Sequence, residues 1–204
     1  MVLFVFIGMM WIIRGIDMFV QNGWSSAGVG IVPRTWDGLW NIPISPFIHE
    51  DFDHILSNTI PLLVLGALIL ARGVTDFVFV VFVSTFVSGI GTWIFGEGHA
   101  QHIGASGIVF GFFGYLVFRI AFDRKISTGI IALAVAIVYG SAMTYSLIPE
   151  DHISWSGHFF GFMGGFVAAR LRYPHRPLSV TPEMLATVIE FPSAPKSRPA
   201  SHHH

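Results

Sequence analysis

Residues 101–119 read QHIGASGIVFGFFGYLVFR, and how they are read decides the fold. From Ala105 onward the stretch is apolar enough to lie in lipid, yet it opens on a serine between glycines, Gly104-Ala105-Ser106-Gly107. Small residues in a membrane helix ordinarily mean close helix packing. A serine acting there as a nucleophile needs a base, donors for a developing negative charge and a supply of water. Other segments of the chain must provide them.

The composition sets the medium. Of 204 residues, 53% are hydrophobic and 11% charged, and the mean hydropathy is +0.67. Soluble domains carry about 25% charged residues, so this chain has too little polar surface to cover itself in water. It reads as an all-α membrane protein whose length allows one bundle. A net charge of -1 argues against nucleic acid as a partner, and the absence of cysteine excludes disulfides and thiolate chemistry. His49, Glu50, Asp51, His99 and His102 gather near one rim, but His99-x-x-His102 is only a pair on a loop. Neither a metal nor another cofactor is expected.

Six stretches approach the ~20 mostly apolar residues that a span needs: Val2–Val20, Asp53–Ala71, Phe77–Phe95, Ala105–Phe122, Ser127–Leu147 and Trp155–Leu171. The first has neither a basic leader nor a cleavage site and reads as a retained helix. Between the first two lies a long segment, Gln21–His49, with Trp24, Trp36, Trp40, Pro33, Pro43 and Pro46. Tryptophans favour the headgroup level, so this first loop is expected in the interface. With the amino terminus inside, the inner side collects Arg72, Arg119, Arg124, Lys125, Arg170, Arg172, Arg176, Lys196 and Arg198, whereas the outer loops hold only Arg34. Positive charge gathers in the cytoplasm, which puts both termini there. Arg14, near the outer end of the first span, is three residues from Asp17 and can pair with it. The membrane domain is expected over residues 1–172. Residues 173–204, rich in Pro and Ser without lasting periodicity, read as a disordered cytoplasmic tail, whose last three histidines have the look of a tag remnant.

This topology aligns the polar residues. The second, fourth and sixth spans all run inward from the outer face. Ser106 and His158 open the fourth and sixth, ~6–9 Å below the outer entry at 1.5 Å per residue. His54 and Asn58, four apart, share a face of the second span at similar depth. Polar groups are costly at that level and usually mark function. Histidine is the side chain suited to take a serine proton near neutrality, so His158 is the candidate base for Ser106. The Asn58 amide, the His54 ring N–H and the Ser106 backbone N–H are candidate oxyanion donors, aided by the amino end of the fourth helix. Gly157, Gly161 and Gly165 recur every four residues on the sixth span, and Gly107, Gly111 and Gly114 give the fourth a small face. Such patterns let two backbones approach, as a Ser–His hydrogen bond across them requires. Each element alone also has a structural reading, with His54 and Asn58 as interhelical glue.

The pattern resembles the rhomboid family of intramembrane serine proteases. The matching residues are His49-x4-His54-x3-Asn58, Gly104-Ala105-Ser106-Gly107 and His158-x2-Gly161-x3-Gly165, spread over about residues 30–172. The resemblance implies a six-transmembrane-helix bundle and a Ser106–His158 dyad without an acidic third member. It also implies an oxyanion site of Ser106, His54 and Asn58, with His49, Gly104, Phe110, Gly161 and Gly165 in support. Phe110 stands where many relatives carry tyrosine, which keeps a ring to stack on His158 without a phenol hydroxyl. The Trp-Arg pair of many first loops is matched only by Pro33-Arg34-Thr35-Trp36. Implied partners are single-span transmembrane protein substrates and membrane lipid, and the implied location is the bacterial inner membrane. The fifth span, rich in small residues, is the expected gate for substrate, and Ile148–His152 an expected cap over the serine. Two other function classes compete. A catalytically silent relative that escorts membrane clients usually lacks the serine or the histidine. A transporter ordinarily needs an ionisable residue deep in a span.

Overall fold

Apolar segments of this length satisfy their backbone groups in lipid by forming helices. The computed structural model describes residues 1–19, 28–98, 100–123, 125–148 and 154–173. Trp24, His99, Arg124, residues 149–152 of the expected cap and the tail from residue 174 lie outside the described residues. Within these there is no strand, and the α-helices are α1 (Val2–Asp17), α2 (Trp36–Trp40), α3 (Phe52–Leu70), α4 (Val74–Phe95), α5 (Ser106–Phe118), α6 (Ile120–Asp123), α7 (Ile126–Tyr145) and α8 (Trp155–Arg172).

Each expected span falls on a helix, but four are long and apolar enough to cross a membrane: Phe52–Leu70, Val74–Phe95, Ser106–Asp123 and Ile126–Tyr145. The first helix has 16 residues, about 24 Å at 1.5 Å each, against a hydrocarbon core of ~30 Å. In α8, Gly157, Gly161, Gly164, Gly165, His158, Arg170 and Arg172 dilute the apolar character. The fourth span is also interrupted at Arg119, where the side chain turns to Asp123 Oδ2 (2.6 Å) and Thr128 Oγ1 (3.1 Å).

The segment after α1 is partly folded rather than a plain loop. Thr35 Oγ1 accepts the Gly38 N–H at 3.0 Å and so caps α2, whose Trp36 and Trp40 stay exposed. A 3₁₀ turn follows at Ser45–Phe47. Ile31 and His102 exchange both backbone bonds at 2.9 Å, which ties this segment to the strip that leads into α5. Arg34 makes a second tie. Its φ is +61°, and its Nη1 donates to the carbonyls of Ile94 (3.0 Å) and Gly96 (3.1 Å) where α4 ends.

The core is a three-helix junction in which α8 packs against both α4 and α5. Phe77, Phe112, Tyr115, Leu62 and Ile69 are fully buried around it. At the end of α5 away from Ser106, Asp76 accepts from Arg172. Arg72 Nε there donates to the Tyr173 hydroxyl at 2.9 Å. Near the other end of α1, Arg14 pairs with Asp17 at 2.9 Å. Ile130, Leu133, Ile137 and Val138 of α7 are exposed on its outer surface, as lipid-facing positions are.

Candidate active site

The backbone before α5 is bent by Gly104, at φ +98°, whose N–H donates to the Ser45 carbonyl at 2.9 Å. A side chain there would be strained, and its Cβ would strike His54 Nε2. Gly104 therefore serves both the turn and the approach of His54. The turn makes Ser106 the first residue of α5, so its N–H is among those that no helical carbonyl reaches.

Ser106 Oγ lies 2.9 Å from His158 Nε2. His158 comes from the first turn of α8, which Ser154 caps by accepting the Gly157 N–H at 3.3 Å. The Phe110 ring stacks on the imidazole, 4.3 Å between centroids and 6° from parallel. His158 Nδ1 lies 2.7 Å from the Ser146 carbonyl oxygen. A carbonyl can only accept, so Nδ1 carries the proton and Nε2 offers its lone pair to the serine hydroxyl.

Backbone proximity explains how the two helices meet. A Cβ on Gly161 would strike the Gly107 carbonyl oxygen, and one on Gly165 the Gly111 carbonyl oxygen. Gly157 joins this contact only through its carbonyl oxygen, 3.5 Å from a Cβ placed on Gly107, since a Cβ on Gly157 itself would lie 3.0 Å from Ser154 Oγ and 3.2 Å from Thr92 Oγ1. On α5, added Cβ atoms at Gly107 and Gly111 would meet the hydroxyls of Ser88 and Ser84 on α4. Ser88 Oγ also donates to the Gly157 carbonyl at 2.8 Å, which binds α4 to α8.

Asp51 caps α3 by accepting the His54 N–H at 2.7 Å. The Asn58 amide donates to the His54 carbonyl at 2.9 Å, which engages one of its two amide hydrogens. His49 meets His54 edge to face, 5.0 Å between centroids, and its Nε2 accepts the Ala105 N–H at 3.4 Å. Burial, with the charge of His54 adding to it, pushes the His49 pKa down from 6.5 to about 3, so the ring is neutral and able to accept. Burial also lowers the pKa of His102, whose Nδ1 lies 2.7 Å from Ser154 Oγ. His54, Asn58, Ser106 and His158 all line one cavity of about 850 Å³, which Tyr139 and Met143 of α7 also line.

A family model for the rhomboid domain matches residues 37–175, which contain every one of these groups. The chain belongs to the rhomboid family. An uncharacterized protein of Mycobacterium tuberculosis (strain ATCC 25618 / H37Rv) is 38% identical over 150 residues, 70% of this chain. This chain spans 62% of that relative's length. An uncharacterized Mycobacterium leprae (strain TN) protein is 32% identical over 175 residues, 81% of this chain and 68% of its own. A Bacillus subtilis (strain 168) protein named "Putative rhomboid protease YdcA" is 27% identical over 144 residues, 70% of each. Rhomboid membership together with the four apolar helices makes the chain a multi-pass membrane protein.

Of the rhomboid motif residues, His54, Asn58, Ser106, Phe110 and His158 thus line one cavity, with His49 and Gly104 against the turn before α5 and Gly161 and Gly165 on the α5–α8 contact. Three contributors were not read from the sequence. The Ser146 carbonyl carries no residue-type signal. The bonds of Arg34, matched above to the first-loop pair, go to the Ile94 and Gly96 carbonyls, which carry no residue-type signal either. Ser154 is a helix cap legible from Ser-x-x-Gly before an apolar run, but its bond to His102 is not.

Proposed function

We propose that this rhomboid is an intramembrane serine endopeptidase that cleaves transmembrane segments of other membrane proteins near the outer face. The observation that carries the reading is the 2.9 Å approach of Ser106 Oγ to His158 Nε2, with the tautomer set from Nδ1. In the proposed reaction the Ser106 oxygen attacks the scissile carbonyl carbon while its proton passes to His158 Nε2. The oxyanion is received by the Ser106 backbone N–H, the His54 ring N–H and the free amide hydrogen of Asn58. His158 then protonates the departing amine as the acyl–Ser106 ester forms. Water, deprotonated by the same nitrogen, releases the acid and restores the hydroxyl.

The setting supports a protein substrate held in the membrane. The cavity is large enough for an extended segment and lies between α3 and α7, where a client helix would enter from the side. Such a client must unwind locally, because an intact helix hides its carbonyls in its own hydrogen bonds. Small residues at the cut with a Gly or Pro nearby make that unwinding easier. We further propose six spans in the bacterial cell membrane with both termini cytoplasmic, in keeping with the gathering of Arg72, Arg119 and Arg172 at the end away from Ser106. The test is labelling of the purified full chain by a small fluorophosphonate, beside cleavage of a single-span model substrate in lipid. Both should vanish in Ser106→Ala, and cleavage that persists in that variant overturns the reading.

A further inference from the structure

The end of α7 does more than border the cavity. Ser146 is the C-cap residue of α7, at φ -70° and ψ -2°, and its carbonyl is one of those beyond the reach of helical N–H groups. Its direction is fixed, because both the Ser146 N–H (3.1 Å) and Oγ (3.0 Å) donate to the Ala142 carbonyl. The Ser146 carbonyl in turn accepts the Nδ1 proton of His158 at 2.7 Å. The last turn of a helix also carries partial negative charge, which favours the imidazolium formed when His158 takes the serine proton. In soluble serine hydrolases a buried carboxylate supplies both services. We propose that Ser146, through its backbone carbonyl, is the positioning residue for His158, and that the dyad is armed only while the outer end of α7 is docked. The proposal rests on the reading of Ser106 and His158 as the dyad.

The attachment of α7 is uneven in the way this requires. At its inner end Thr128 Oγ1 donates to Asp123 Oδ2 at 2.8 Å and accepts from the buried Arg119 at 3.1 Å. Ala132 and Val135 are buried next, and beyond them Met143 is the only buried residue of the helix. A Cβ added to Gly140 would meet nothing within 4 Å, and the 850 Å³ cavity separates this half from α3. The helix is thus pinned by buried polar bonds below and held above by Met143 with the partly buried Tyr139 and Leu147, and this less buried end carries the carbonyl. Outward movement by about 1 Å takes a 2.7 Å bond beyond hydrogen-bonding range. A client that parts α7 from α3 disarms His158 as it enters, and acyl transfer waits for α7 to return around it. Entry and chemistry become successive steps set by one helix.

The experiment uses the full chain labelled with ¹⁵N-histidine in lipid bilayers, with the His158 signal assigned by its loss in His158→Gln. The expected spectrum has a protonated Nδ1 and an unprotonated Nε2. Leu147→Pro then turns the carbonyl away, since a residue before proline is disfavoured in the helical region that Ser146 occupies. That variant should show a mixture of tautomers and a fall of at least ~10-fold in fluorophosphonate labelling of Ser106, in keeping with the ~10² that a small misplacement can cost. Ile148→Ala, which trims an exposed side chain and keeps the turn, should retain the tautomer and label within about twofold, as surface substitutions generally do. A proton on Nε2 in the unaltered chain overturns the proposal, and this holds even if Leu147→Pro does not fold. So does a folded Leu147→Pro with unchanged tautomer and labelling. If the unaltered chain shows the expected tautomer but Ser106 takes no label, the protease reading fails while the Ser146 hydrogen bond stands.

Discussion

Gly161→Ala is the smallest change that tests whether the helix seam sets the chemistry. A Cβ at this position would strike the Gly107 carbonyl oxygen and lie 3.0 Å from both the carbonyl carbon and Cα of Gly107. Nonbonded carbons rest at about 3.5–4.0 Å, so α8 must retreat from α5 by roughly 0.5–1 Å. Backbone cannot swing aside as a side-chain tip can. Ser106 precedes Gly107, and His158 stands one turn before Gly161, so the retreat opens the Ser106–His158 contact itself. Its 2.9 Å bond would lengthen to about 3.5–4 Å, outside hydrogen-bonding range. Overpacking of this kind costs about 1–3 kcal/mol, while a misplacement of about 1 Å can cost 10² in rate. Activity should therefore fail before the fold does. The assay pairs fluorophosphonate labelling rates with thermal melts in detergent. The expected result is labelling reduced by about 10–100-fold with a melt lowered by about 2–12 °C. A variant that labels and melts like the unaltered chain would refute the close-contact argument.

Three further outcomes are expected. His54→Ala and Asn58→Ala should each lower turnover of a transmembrane substrate by about 10–10² with little change in KM, somewhat under the 10²–10³ known for a lost oxyanion donor because two others remain; unchanged turnover in both would make them structural. His49, held neutral with a pKa of about 3 against an ordinary 6.5, contributes stability that is present above pH 6.5 and lost as the pH falls toward 3, since the unfolded chain binds the extra proton there; between pH 7 and 5 this amounts to about 2 kcal/mol, which should be missing from the pH dependence of His49→Gln melts, and parallel curves would refute it. Arg34→Gly should melt higher than Arg34→Ala, because both lose the bonds to Ile94 and Gly96 while only glycine relieves the φ of +61°, a difference of about 1 kcal/mol, and equal melts would deny the strain.

Legibility in the sequence followed the physical range of each signal. Apolar length located the helices because lipid leaves the backbone no other partner, although α1 and α8 show that length and hydropathy part company where a helix is short or glycine-rich. Residue type singled out Ser106, His158, His54 and Asn58, which the structure brings to one cavity, since few polar side chains occur at that depth. The glycine spacing located the α5–α8 seam at Gly161 and Gly165, but not that the missing side chain of Gly157 faces Ser154 and Thr92 while its carbonyl faces Gly107. Gly107 and Gly111 also serve two neighbours, with their carbonyls toward α8 and their missing side chains toward Ser84 and Ser88. What stayed hidden was carried by backbone atoms. The carbonyls of Ser146, Ser45, Ile94 and Gly96 are common to all residues, and only the folded path of the chain aims them.

That reliance on backbone has a physical reason. A buried carboxylate beside His158 would bring a full charge into a low-dielectric layer, where its desolvation costs several kcal/mol unless it is fully paired. On the reading proposed here, the site meets the same electrostatic needs with helix ends. The amino end of α5 presents orphan N–H groups and positive potential where the oxyanion would form. The carboxyl end of α7 presents an orphan carbonyl and negative potential where the imidazolium would form. The two ends belong to different helices, and only α5 is buried along its length, against α8 and α4. The oxyanion side is therefore a fixed feature of the bundle, whereas the imidazolium side travels with the least buried of the four long apolar helices. A fixed carboxylate on α8 would arm His158 at all times. A carbonyl on α7 ties the readiness of the nucleophile to the helix past which a substrate has to move.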